Sequence, residues 1–280
     1  MRVACIQLST GENYDFNCHQ LLKFIKESIK IKADLIITPE ASTILSIDKK
    51  KVFNNSYSMN EDPFIKKIKS ISKQNKKWIL LGSVFIQEKN KLRNRSIMIN
   101  PHGKIEAYYD KINMFNVKLS KKETHNESKM FIPGKLLKTV RLPWGKLGLT
   151  ICYDLRFPEI FRKLSKRNLN FITVPSAFTK ITGKKHWIVL LRARAIENFC
   201  YIFAPAQTGK NNAKRETFGH SVIISPDGEI LKLKKKNQGI IYTDIDPKLS
   251  MELRKKIPSL NIKKNIINNK LRNYINKLNV

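Results

Sequence analysis

The sequence is short of acid, of paired cysteines and of long apolar runs. Only 22 Asp and Glu stand against 54 Lys and Arg in 280 residues, a formal charge of +32. No stretch approaches the ~20 consecutive apolar residues of a membrane span. The opening MRVACIQLST lacks the charged-then-apolar layout and cleavage site of a secretory signal. A soluble cytoplasmic protein with no membrane partner is therefore expected. The four cysteines, Cys5, Cys18, Cys152 and Cys200, lie far apart and form no C-x-x-C pair, which argues against a disulfide framework and a zinc site. No metal or other cofactor is expected, and any special cysteine is special alone. No Gly-, Ser- or Pro-rich linker divides the chain, so residues 1–258 read as one domain and residues 259–280 as a basic tail, with a helical stretch near 268–278.

The basic excess has two readings. It fits a nucleic-acid-binding protein, and it fits a solvated surface whose lysines reflect a compositional bias. Lysines at 49–51, 66–77 and 232–236 are spread along the chain beside many Asn and Ile, which favours the second reading and no specific nucleic acid. Non-specific attraction to anions follows from either.

What is present is an alternation of strand and helix patterns. Residues 3–8 and 34–38 read as short buried strands around a helix at 17–32, whose Leu21, Leu22, Ile25 and Ile29 recur with helical spacing. A helix at 61–74, a strand at 78–86 and a hairpin through Pro101-His102-Gly103 follow. Further on come a strand at 147–152, a helix at 158–165, a strand at 170–174, a helix at 186–198 and a strand at 201–205. A hairpin then turns on Pro226-Asp227-Gly228. Mixed α/β elements with several hairpins predict sheets covered by helices.

Two strand ends carry chemistry. The run LGLTICYDLRFPEI, residues 147–160, places Cys152 where an apolar strand gives way to polar residues. Cys152 is either a small buried hydrophobe or a nucleophile, which needs a base, a positive environment and a cleft. None of the five histidines, His19, His102, His125, His186 and His220, is placed as an obvious base. In LIITPEAS, Pro39 cannot continue a central sheet, so Glu40 falls at the strand's end, where ligand sites in α/β architectures gather. Capping or solvation is the alternative for Glu40, and an ordinary surface role the alternative for Lys111 in YYDKINMF.

Taken in order, Glu40 in TPE, Lys111 in DK and Cys152 in ICYDLRFPE resemble the nitrilase, or carbon–nitrogen hydrolase, superfamily over residues 1–258. The resemblance implies a four-layer αββα sandwich of the nitrilase type that pairs into a homodimer. It implies Glu40 as proton acceptor with a burial-raised pKa, Lys111 as oxyanion stabiliser and Cys152 as nucleophile. Glu127 in HNESKMFIPG would be a second glutamate, and the reaction hydrolysis of a small-molecule carboxamide through a thioester with release of ammonia. The stretches CYDLRFPEIF, PSAFTKITGKKHWIVLLRARAIENFCYIFAPAQTGKN and FGHSVIISPDGEIL are similar to the branch that includes deaminated glutathione amidase. The branches of ω-amidases, N-carbamoyl amino acid hydrolases and aliphatic nitrilases are the alternatives. An anionic substrate wants cations, so Arg156 is a candidate contact, with a salt bridge to Asp154 or Glu159 as its alternative. Arg192 and Arg194, two apart on a helix, cannot both face a pocket. Tyr153, Thr179, Thr182 and His186 complete the expected contacts. Asn113 stands where family members more often carry histidine.

Overall fold

Arg2–Gln7 (β1) is buried at five consecutive positions, Val3 to Gln7, which suits a strand covered on both faces. A computed structural model, which describes residues 1–118, 124–213 and 215–261, gives it that place. Val3 and Cys5 enter one apolar cluster while Ala4 and Ile6 enter another, the period of two that a strand imposes.

In chain order the first half continues with α1 (Tyr14–Lys30), β2 (Leu35–Ile37), α2 (Lys49–Asn54), α3 (Pro63–Asn75), β3 (Trp78–Glu88), β4 (Lys91–Ile99), β5 (Ile105–Asp110), β6 (Asn116–Lys118) and β7 (Thr124–Asn126). The second half comprises β8 (Lys138–Leu142), β9 (Gly145–Leu149), α4 (Pro158–Ser165), β10 (Phe171–Thr173), α5 (Lys180–Asn198), β11 (Tyr201–Ala204), β12 (Thr208–Asn212), β13 (Arg215–Phe218), β14 (Ser221–Ile224), β15 (Ile230–Lys234), β16 (Gly239–Asp244) and α6 (Leu249–Lys256). Two six-stranded sheets result, ordered β16-β1-β2-β3-β4-β5 and β15-β14-β11-β10-β9-β8.

The sheets meet face to face. Val3, Cys5, Leu35, Ile37 and Leu80 of the first share one core with Leu147, Leu149, Phe171 and Ile202 of the second. On the outer side of the first sheet, Ile36 and Ile79 pack against Leu21 and Ile25 of α1 and Ile65 and Ile68 of α3. Phe161 and Leu164 of α4 and Trp187 and Leu191 of α5 cover the second sheet. This is the αββα sandwich expected from the sequence. Local chemistry sets the helix starts: Asn13 accepts from the Phe16 N–H at 3.0 Å, Asp62 accepts from the Ile65 N–H at 2.9 Å, and Pro63 opens α3.

Strands β1, β2 and β3 run parallel, as do β9, β10 and β11. Two antiparallel pairings bring β5 back in the direction of β3. The carboxyl ends of β2, β5, β9 and β10 therefore supply the loops of one common end of the sandwich.

The structure differs from the sequence reading in three places. Strand β9 stops at Leu149, and Cys152 opens a 3₁₀ turn, Cys152–Arg156, because its φ of 46° cannot continue a strand. Helix α5 begins at Lys180, six residues before the expected start, so Thr182 and His186 lie on the helix. Gly183 lies inside the helix, and a Cβ there would sit 2.4 Å from the Phe218 ring, so the glycine serves helix-to-hairpin packing. Strands β6, β7, β8, β12, β13 and β16 and helices α2 and α6 were not anticipated, and β16 completes the first sheet by pairing along the whole of β1. The expected helix near 268–278 lies outside the described residues.

Candidate active site

Glu40 follows β2 and Pro39, and the next residue, Ala41, has a φ of 55° that turns the chain sharply away from the sheet. Its backbone is fixed on both sides: Gln207 Nε2 donates to the Glu40 carbonyl at 2.9 Å, and the Ser42 N–H donates to Ser83 O at 2.9 Å. The buried carboxylate has donors at both oxygens. Lys111 Nζ and Asn94 Nδ2 each reach Oε1 at 2.9 Å, and the Ala177 N–H reaches Oε2 at 2.8 Å.

Lys111 comes directly after β5 and is 2 % exposed. Its N–H donates to Asn94 O at 3.0 Å, and its carbonyl accepts from the Gly134 N–H at 2.8 Å. Its Nζ lies 2.9 Å from both Glu40 Oε1 and Glu127 Oε2. Glu127 in turn accepts from the Phe115 N–H at 2.7 Å and from Asn94 Nδ2 at 3.1 Å. The ammonium is thus pinned between two oriented carboxylates, as a buried cation requires.

The Cys152 N–H donates to Pro175 O at 3.0 Å, and the residue's left-handed backbone turns the chain out of the line of β9. A non-glycine residue in that region costs about 1–2 kcal/mol. Asp154 holds the turn in place. Its Oδ2 accepts from the Ile151 N–H at 3.0 Å and from Tyr109 Oη at 2.7 Å; its Oδ1 accepts from the Asn113 N–H and Nδ2 at 3.0 and 2.9 Å. This buried carboxylate fastens the nucleophile's turn to the loop after Lys111. Asn113, the departure from histidine, donates to it twice. The Tyr153 N–H, next after Cys152, has no acceptor among the described residues.

The Cys152 thiol and the Glu40 carboxylate are electrostatic neighbours, and each shifts the protonation of the other. Burial and the neighbouring carboxylate push the thiol pKa up despite the Lys111 charge. For Glu40, burial alone would raise the carboxyl, but the charge and hydrogen bond of Lys111 outweigh it and hold the group below its ordinary 4.5. This corrects the expectation of a burial-raised carboxyl. Burial would lower Lys111, and Glu127 and Glu40 reverse that to well above 10.5. The resting site is carboxylate, ammonium and thiol, an arrangement in which Glu40 can accept the Cys152 proton as it attacks an acyl carbon.

These groups line a cavity of about 400 Å³. Cys152 is only 7 % exposed, so its access is through this cavity rather than from an open strand end. Tyr153, Thr179 and Thr182 also line it, as expected, whereas Arg156 and His186 do not. Arg156 makes neither anticipated salt bridge among the described residues. Its guanidinium packs over Phe178 at 5.1 Å and meets His186 Nδ1 at 3.3 Å, because Tyr153 and Phe178 stand between it and the cavity. Arg192 donates to Gly228 O, and Arg194 to Leu155 O and Glu197, so neither is a cavity cation. Sequence reasoning missed Asn94, His125 and Arg215, all in the wall. No local signal marks Asn94, because β4 carries Arg93, Asn94, Arg95 and Ser96 in succession. Among the described residues no group of three His, Cys, Asp or Glu is arranged to hold a metal ion.

Comparison with known proteins agrees with this geometry. Residues 2–255 match the carbon-nitrogen hydrolase family. Deaminated glutathione amidase of Yersinia enterocolitica is 37% identical over 235 residues, covering 82% of this chain and 81% of its own. The Dictyostelium discoideum protein of the same name is 36% identical over 272 residues, covering 94% of each. The crystal structure of Saccharomyces cerevisiae Nit3, a member of branch 10 of the nitrilase superfamily, superposes with a TM-score of 0.84 at 25% identity, over 95% of this chain and 97% of that one. With a fold, a family match over nearly its whole length and a buried Glu–Lys–Cys cluster in agreement, this chain belongs to the carbon-nitrogen hydrolase family.

Proposed function

We propose that this enzyme hydrolyses the amide of a small anionic, peptide-like α-keto acid, with deaminated glutathione the leading substrate, in a metabolite-repair role. The observation that carries the reading is the contact set of Glu40. Its carboxylate is hydrogen-bonded to the Lys111 ammonium and lines the same cavity as the Cys152 thiol, whose protonation it influences. The names of the two relatives above support the choice of substrate.

In this mechanism Cys152 Sγ attacks the amide carbon while its proton passes to Glu40 Oε. The carbonyl oxygen takes the negative charge and is met by Lys111 Nζ and the Tyr153 N–H. Collapse breaks the C–N bond, and Glu40 returns the proton to the leaving nitrogen. Ammonia leaves from a primary carboxamide, and an amine fragment leaves from a substituted amide. Water, deprotonated by Glu40, then cleaves the thioester to a carboxylic acid and restores the thiol. Glu127 keeps Lys111 charged and oriented throughout. Tyr153, Thr179 and Thr182 form part of the substrate wall.

A homodimer is part of the same proposal. Ile181, Val189 and Ile196 share one outward face of α5 and are 57, 67 and 44 % exposed, an apolar stripe suited to a second copy. Placement in a reducing cytoplasm fits the four free thiols. Among the described residues no helix is long and apolar enough to cross a membrane.

The test is a substrate panel in which release of the amine or ammonia is followed. Turnover of deaminated glutathione, with none of a nitrile or an N-carbamoyl amino acid and none by Cys152→Ala, supports the reading. Preference for a nitrile or carbamoyl compound would move the enzyme to another branch.

A further inference from the structure

Among the described residues Arg215 is the one arginine lining the catalytic cavity, and nothing in its sequence neighbourhood marks it out. It opens β13, whose register places it opposite Asn212 of β12. The hairpin is fastened over the end of β10: the Phe218 N–H donates to Phe178 O at 2.9 Å, and Thr179 pairs with Thr217. That anchoring brings the guanidinium back to the reacting groups. Arg215 Nη2 donates to Ala177 O at 2.9 Å, while the N–H of the same Ala177 donates to Glu40 Oε2 at 2.8 Å.

The charges of the wall are unevenly matched. Lys111 is compensated by Glu40 and Glu127. No ion pair links Arg215 to a carboxylate among the described residues, and its Nε is buried with no acceptor. The Glu40 charge reaches Arg215 only at longer range, without a hydrogen bond, and a partly buried guanidinium whose fork is left unfilled is costly unless an anion arrives to satisfy it. Two further cations, Lys49 and Lys129, line the same cavity from exposed positions and add to a field that draws anions in. The planar fork of arginine suits a carboxylate better than any neutral group of a substrate.

We propose that Arg215 binds a carboxylate of the substrate and so selects anionic amides over neutral ones. This rests on the amidase reading above and adds to it the residue that recognises the acid end. Holding that carboxylate beside Ala177 sets the distance from it to the scissile amide, because Ala177 also positions Glu40.

A matched pair of amides tests it: glutaramate, which carries a carboxylate three methylenes from its carboxamide, and the neutral 5-hydroxypentanamide. Arg215→Gln is expected to lower kcat/KM for glutaramate by about 10- to 100-fold, chiefly through KM, the size of effect typical of a lost charged hydrogen bond. For the neutral amide the change stays within about threefold, and Arg215→Lys recovers part of the loss. An equal loss on both amides would assign Arg215 a positioning role through Ala177 and overturn the proposal, as would no loss on either. Absence of turnover of both amides and of deaminated glutathione by the wild type sinks the amidase reading instead. Calorimetric binding of glutarate then decides the role of Arg215 separately. Binding at least tenfold weaker in Arg215→Gln upholds it, and equal binding, or none to the wild type, overturns it.

Discussion

The backbone N–H of Ala177 donates to Glu40 Oε2 at 2.8 Å, joining the loop after β10 in one sheet to the loop after β2 in the other. With Lys111 and Asn94 on Oε1, the base is held at both oxygens before any substrate arrives. Such preorganisation keeps the carboxylate from turning away when the thiol proton moves. Replacement of Glu40 by Gln keeps the size and removes the proton acceptor. We expect kcat to fall by at least ~10²–10⁴-fold while circular dichroism shows a retained fold. A variant within threefold of the wild-type kcat would remove Glu40 from the chemistry.

The directions of the pKa shifts fix a pH profile. Glu40 lies below 4.5, Cys152 above 9.0 and Lys111 above 10.5, so the resting protonation states hold throughout the interval between 4.5 and 9.0. A plot of kcat/KM against pH is expected to be flat from about 5 to about 9. The linked stabilities follow in sign. The contribution of the depressed Glu40 is present above 4.5 and fades as pH falls through its lowered value. That of the raised Lys111 is present below 10.5 and fades as pH rises through its raised value. A single steep limb near ~6.5, the range of histidine, would implicate His125 in the cavity wall and contradict a carboxylate base.

Asp154 offers a test of how the nucleophile is aimed. Its four accepted hydrogen bonds come from Ile151, Tyr109 and, twice, Asn113. Asn in its place supplies one acceptor oxygen and presents an N–H₂ to groups that are themselves donors. Asp154→Asn is expected to lose about 1–3 kcal/mol of stability and to lower kcat with little effect on KM. Chemical denaturation and steady-state kinetics on the same preparation check both, and an unchanged kcat would show that the turn holds Cys152 without Asp154.

Gly82 is required by contact rather than by backbone angle. A Cβ built on it would lie 1.8 Å from Thr38 O and 2.8 Å from Pro39 O, the two residues that lead into Glu40. Gly82→Ala must therefore push β2's end away from β3. The expected cost is about 1–3 kcal/mol or more from overpacking, with a loss of activity larger than the loss of folded protein. Wild-type specific activity from this variant would mean that Glu40 tolerates movement.

Where the sequence was legible, it was so for physical reasons. The helical period of α1 and α3 and the buried runs of β1 and β2 are strong local signals, and they sufficed for sheets covered by helices; the four αββα layers were implied by the family resemblance. Glu40, Lys111 and Cys152 each sit at or just beyond a strand's carboxyl end, in settings short enough to match a family. Arg215, Ala177 and Asn94 were not legible because their places depend on contacts over distance. Residues 40 and 177 are 137 positions apart, and residues 40 and 94 are 54 apart. Arg156 was misplaced because nearness in sequence to Cys152 says nothing of the side of the aromatic wall on which a side chain falls. The direction of the Glu40 shift was misjudged because burial was weighed without the lysine that is buried with it.

The central claim is that Cys152 carries the acyl group during turnover. The most direct measurement is acid quenching of the enzyme with deaminated glutathione in the steady state, followed by intact and peptide mass spectrometry. The account predicts a mass increase equal to the acyl fragment, confined to the peptide containing Cys152 and absent from Cys152→Ala. Full turnover by Cys152→Ala, or an adduct found only on Cys5, Cys18 or Cys200, would contradict it.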